Sequence, residues 1–303
     1  MLDFFASLFR ALPGSAAQGL IWGIMAIGVF LTFKLLDYAD LTVDGSIATG
    51  GAVCVMLLLA GFSPAFALFS AFLAGCFAGF ITGMLHTAMG IPAILSGILT
   101  QLALYSVNMR IMGKSNQAVN VGKLDLLVSS RYNLQAILIV GAFVVAIIII
   151  LYWFFGTELG CSVRSTGSNP SMSRAQGINT GKMKVLGLAL SNGLVGLSGG
   201  LLAQYSGAAD VKMGQGAIVI GLAAVIIGEV VFGKIFRNFG LRMLGVALGA
   251  VIYYIVIAAV VRLGLAPTDL KLFSAIVVAA FLAVPHFKET LGRGKRGRRT
   301  KNA

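Results

Sequence analysis

The chain has 303 residues, 58% hydrophobic and 11% charged, with a formal net charge of +13. A soluble domain carries roughly 25% charged residues, so this balance, with a mean hydropathy of +0.94, excludes an ordinary globular enzyme and indicates an integral membrane protein. The apolar runs are long and continuous rather than alternating, which excludes an outer-membrane β-barrel and predicts an all-α, polytopic transmembrane helical bundle.

Residues 1–13 are amphipathic, with Phe and Leu on one face, and are expected to lie at the interface. No basic segment with a small-residue cleavage site precedes the first span, so no cleaved signal peptide is expected. That span runs from Ser15 to Leu36, and an acidic break, Asp37 to Ser46, leads into a short apolar segment, Ile47 to Gly61. Pro64 opens a third span to Leu85, and Gly90-Ile91-Pro92 separates it from a second short segment, Ala93 to Val107. After a polar loop, Met112 to Asn133, a full span covers Gln135 to Phe155. Beyond the central loop the segments are Val185–Tyr205, Ala217–Phe232, Leu244–Val261 and Leu270–Val284. The set makes about nine membrane segments.

Much of the positive charge lies in the tail, at Lys288, Arg293, Lys295, Arg296, Arg298, Arg299 and Lys301. Residues 287–303 therefore read as a basic cytoplasmic tail near anionic lipid, following a transmembrane domain over 1–286, and no nucleic-acid partner is expected. With the tail inside, alternation places Lys34, the loop Arg164–Lys184 and the Lys234–Arg242 loop inside as well. A full span, an acid-and-glycine break and a short segment occur twice, at Asp40–Gly45 and at Asp210–Gly216. Paired interrupted helices of opposite orientation point to an inverted repeat around a central path.

The longest mid-chain polar stretch, Arg164 to Lys184, has the grammar of a short helix on a loop. Asn169 can cap it, Pro170 suits its first position, and Gly177 supplies a left-handed stop. Arg174 then points into water, as expected of a helix that docks onto a cytoplasmic partner. No Gly-x-x-x-x-Gly-Lys-Ser/Thr loop occurs, so any ATP used belongs to another chain, and no cofactor is expected here. Cys54, Cys76 and Cys161 show neither a disulfide framework nor metal-ligand spacing, and no catalytic constellation is present. Asp44 has two readings, a cap for its own short helix or a solute contact. Glu229 likewise pairs with Lys234 or relays protons. Gln101, Asn192 and Gln204 either line a pathway or form interhelical hydrogen bonds. An ion-coupled secondary transporter using Asp44 or Glu229 is the alternative to a permease energised by a partner.

Gly160, Arg164, Gly167, Asn169-Pro170, Arg174, Gly177-Ile178-Asn179, Lys182 and Lys184, followed by Gly199 to Tyr205, carry a resemblance. The chain resembles the inner-membrane permeases of ATP-binding cassette (ABC) importers, nearest those for branched-chain amino acids and ribose. The Asp40–Ser46 stretch further resembles a subgroup associated with tryptophan or tyrosine uptake. The resemblance implies that Asn169 to Asn179, within a coupling loop over 156–184, docks onto a cytoplasmic ABC ATPase that uses the ATP. It implies a second permease chain, most simply a homodimer, and an extracytoplasmic solute-binding protein, in a bacterial inner membrane. The solute path would lie near the broken helices, where Asp44 and Gly45 stand.

Overall fold

The computed structural model describes residues 2–119 and 126–262, with residues 272, 275, 276 and 278–280 beyond them, and side chains from residue 11 onward. The expected tail and most of the 270–284 span lie outside the described residues. So does the apolar face expected of residues 1–10.

Among the described residues ten α-helices follow in order: α1 Leu2–Phe30, α2 Val43–Leu59, α3 Pro64–Thr87, α4 Ala93–Met112, α5 Asn133–Phe154, α6 Glu158–Ser168, α7 Pro170–Ala175, α8 Thr180–Ser206, α9 Ala217–Phe232 and α10 Phe239–Arg262. Five helical stretches, Ala11–Leu35, Pro64–Thr87, Asn133–Phe154, Thr180–Ser206 and Phe239–Arg262, are long and apolar enough to cross a membrane, and α2 and α9 are shorter apolar helices. One departure from an all-α chain is a ribbon of two three-residue strands, β1 Asn116–Ala118 and β2 Ala208–Asp210, paired antiparallel with Gln117 opposite Ala209. It ties the loop after α4 to the loop after α8.

The first helix also differs from expectation. The span is expected to start at Ser15, but the chain is already helical from Leu2 and α1 runs unbroken through Pro13. A proline removes one helical hydrogen bond, a loss that membrane helices tolerate when neighbours and local adjustment re-satisfy the backbone. A π-helical turn, Leu31–Leu35, then closes the helix, and Asp37 turns the chain in the left-handed region at φ 50°. Aspartate is one of the few non-glycine residues that tolerate it. The chain thereby turns back inward, burying Tyr38 and Asp40 before α2 begins.

Outward surfaces are apolar. Phe66, Phe69, Leu73, Phe77, Phe80 and Met84 make an exposed stripe on α3 at helical spacing. On α4 the polar side is the inner one: Ser96, Thr100 and Asn108 are buried while Ile94, Leu95, Ile98, Leu102 and Tyr105 are exposed. This is the reverse of a water-soluble helix, and it suits hydrocarbon or a partner chain as surroundings.

At the centre, α8 packs most heavily against α3 and also touches α2 and α1, while α1 packs against α10. Small residues set these distances. A Cβ on Gly75 would collide with the Asn192 carbonyl, and one on Gly79 with the Leu188 carbonyl, so α3 and α8 approach backbone to backbone. Ser191 and Ser198 of α8 donate to the Gly28 and Ile21 carbonyls of α1 at 2.7 and 2.8 Å, closing the seam on its other side.

Candidate functional site

The central loop folds as two helices rather than one. α6 is capped by Thr157, whose hydroxyl accepts from Gly160 N–H at 3.3 Å, and ends at Ser168. Asn169 then turns the chain, and its side-chain oxygen accepts from Met172 N–H at 3.0 Å to start α7, with Pro170 at the first position. Gly177 ends the unit in the left-handed region at φ 82°. Asn179 caps α8, accepting from Lys182 N–H at 3.1 Å. Ser173 anchors α7 from its buried side, donating to the Asn169 carbonyl at 3.0 Å, while Met172 and Arg174 face outward and are exposed. Arg164 does something different from Arg174. Its guanidinium lies over the Phe239 ring, 5.2 Å from the centroid, fastening α6 to the start of α10.

Within the bundle the starts of α2 and α9 meet. Asp44, in the first turn of α2, accepts from Gly216 N–H at 2.9 Å and from Ile218 N–H at 3.0 Å. It is therefore a cap, but for α9 and not for its own helix. Gly216 at the α9 N-cap is left-handed, at φ 85°. Glycine at 214 also lets that loop lie against the backbone of Asp44. Asp44, Gly45 and Gln101 line one cavity of about 180 Å³ between α2, α4 and residues 211–215, together with Tyr105, Asn108, Lys212 and Gln215.

Asn192 and Gln204 stand apart from this cavity. Asn192 donates to Asp40 Oδ2 at 2.6 Å and accepts from the Ser46 hydroxyl at 2.6 Å, tying α8 to the break before α2. The Asp40 carboxylate is held further by Thr42 N–H at 2.9 Å, and Thr42, Thr82 and Thr100 continue the chain of hydroxyls at 2.8 and 2.9 Å. Gln204 donates to the Pro64 carbonyl at 3.2 Å and faces Cys54 Sγ at 3.5 Å. Glu229 pairs with Lys34, 3.2 Å away on the π-helical turn, instead of with Lys234. Both side chains are partly exposed, so the pair serves to position two helix ends more than to stabilise them. The sequence reading missed Asp40 as a buried network member and Asn108 as a cavity residue. A carboxylate in a break and an amide on an apolar helix are the signals that could have found them.

A capped helix presented outside an apolar bundle, and helix starts that meet inside it, are an arrangement that suits a membrane permease. The chain matches the family described as "Branched-chain amino acid transport system / permease component" over residues 12–285, and it belongs to that family. It is 42% identical over 90% of its length, and 91% of the relative, to the "Tyrosine transport system permease protein" of Clostridioides difficile. An uncharacterized protein of Rickettsia prowazekii is 32% identical over 86% of this chain and 92% of its own. The "Autoinducer 2 import system permease protein LsrC" of Yersinia pestis is 34% identical over 64% of this chain and 54% of that protein. No solved structure matches the chain. The protein is thus the multi-pass permease component of an ABC importer; ATP is used by a partner ATPase, and the ion-coupled alternative is set aside.

Proposed function

We propose that this permease imports an amino acid, with L-tyrosine as the first solute to test, and that α7 is its coupling helix. The solute class rests on the printed name of the 42% identical relative. The coupling role rests on one observation above all: a helix of six residues, capped by Asn169 and stopped by Gly177, turns Met172 and Arg174 outward, where no helix among the described residues covers them. An apolar residue beside a cation is what an ATPase groove with acidic walls would grip. Arg164, Asn169, Pro170, Gly177 and Asn179 hold that presentation in place.

The working unit is read as two copies of this chain, two ATPases and an extracytoplasmic solute-binding protein in a bacterial inner membrane. The side bearing α6, α7 and the basic tail would be cytoplasmic. Two interrupted halves related by inversion support a path that opens alternately to each side. One constant shift takes Asp40 to Asp210 and Gly75 and Gly79 to Gly245 and Gly249. The two serine bonds between α1 and α8 are reciprocal under the same shift, and the extensive α3–α8 contact becomes the α10–α1 contact. Asp44, Gly45 and Gln101 are placed on the solute path, with Asn192 and Gln204 behind it as the bonds that hold its helices.

Arg174→Glu tests the coupling. Reversing this exposed charge leaves the apolar spans untouched, so the purified permease should remain folded but lose its ATPase on co-purification or lose solute-stimulated ATP hydrolysis. Full retention of both would sink the docking assignment.

A further inference from the structure

The cavity beside Asp44 has a composition that its packing does not require. Its walls bring Lys212 and Asp44, opposite in charge, together with the carboxamides of Gln101, Asn108 and Gln215 and the phenol of Tyr105. Asn108 is the decisive group. It is 1% exposed, yet neither its Oδ1 nor its Nδ2 has a partner among the described residues. Leaving a buried polar group unsatisfied costs about 1–3 kcal/mol, and an apolar side chain of similar shape would avoid that cost. Asn192 shows the contrast, since its buried amide is engaged at both ends. An amide kept unpaired against a cavity is placed to bond something that enters it.

What enters can be read from the walls. A neutral sugar would use the amides and leave both charges unanswered, and a simple anion would be repelled by Asp44. A small zwitterion answers all of them. Asp44 already accepts two backbone N–H groups but retains lone pairs for a third donor. The volume of about 180 Å³ lies below the roughly 300–1,000 Å³ of pockets for drug-sized molecules and suits a single metabolite. Leu102 and Tyr105 of α4 also line the cavity and are exposed, 64% and 45%, offering an apolar and an aromatic wall to a side chain.

We propose that this cavity is a solute-recognition subsite for the zwitterionic head of a free amino acid, with Lys212 set against the α-carboxylate, Asp44 against the α-ammonium and Asn108 bonding the head between them. The assignment deepens, and rests on, the amino-acid reading above. It gives the permease a selectivity step of its own, besides any exerted by a binding protein.

The test is a saturation-transfer NMR titration of L-tyrosine, with L-leucine as a second probe, against the permease–ATPase complex in nanodiscs without binding protein. Asn108→Leu and Lys212→Gln are compared with the native chain, and co-purification with the ATPase reports that each has folded. Losing a hydrogen bond to a charged group should raise the Kd about tenfold in each variant. Tyramine, which lacks the carboxylate, should compete weakly with the native chain, and Lys212→Gln should erase that discrimination. Lys212 is exposed, so its variant keeps the question open to measurement if Asn108→Leu does not fold. Unchanged affinity and discrimination overturn the subsite. So does absence of binding to a native complex that imports tyrosine or leucine in proteoliposomes, and in that case the amino-acid reading survives. A native complex that imports nothing from a full amino-acid panel overturns both.

Discussion

Asn192 is the residue on which the inner polar network turns, because its amide links the Asp40 carboxylate to the Ser46 hydroxyl. Replacing it with Leu would remove the donor to one oxygen of a buried carboxylate and leave Thr42 to hold the other, a penalty of about 1–3 kcal/mol. The Asn192→Leu permease should therefore unfold at a clearly lower temperature in detergent than Thr82→Val, which removes two neutral hydroxyl contacts, to Thr42 and Thr100, at about 0.6 kcal/mol each. Equal melting temperatures for the two variants would show that the network does not carry this share of the stability. At this scale the sequence was legible where the physics is local. The Asn169 and Asn179 caps and the Gly177 stop follow from neighbours within a few residues. Partners distant in sequence were not legible: nothing near Asp44 announces that it caps α9, and nothing near Glu229 announces Lys34.

At the scale of elements, the seam between α3 and α8 depends on backbone contact. Gly79→Val introduces branched bulk where even a Cβ would meet the Leu188 carbonyl. Overpacking of this kind costs about 1–3 kcal/mol, and two central helices would have to part to relieve it. The expected outcome is a sharp fall in folded, monodisperse yield, while Gly61→Val, at the loop after α2 with open space around it, should lose less despite its positive φ. The glycine spacing on α3 and α10 could be read as close-packing faces from the sequence, but which helix fills each face could not. Hydropathy located the five long apolar helices and the shorter α2 and α9, since it records the solvent each segment faces. It did not show that α1 already begins at Leu2 and passes through Pro13, nor the small ribbon, whose three-residue strands are too short to carry an alternating pattern.

For the whole molecule, assignment to an ABC importer makes transport conditional on another chain. In proteoliposomes the permease alone should move no solute under a sodium or proton gradient, and flux should appear only with the ATPase and ATP. Gradient-driven uptake by the permease alone would contradict that dependence.

The meeting of the α2 and α9 starts bears on what the importer does when idle. Each helix start carries about half a positive elementary charge, and here two converge on one carboxylate that backbone N–H groups already occupy. A bare hydronium or sodium ion reaching that junction finds its one carboxylate already offset by two positive helix ends, and unlike the proposed zwitterion it brings no carboxylate to answer Lys212. The expected consequence is electrical: a resting permease that passes no ions, so that many copies can sit in one membrane without draining its potential. Vesicles carrying the idle complex should keep an imposed proton gradient as long as protein-free vesicles do.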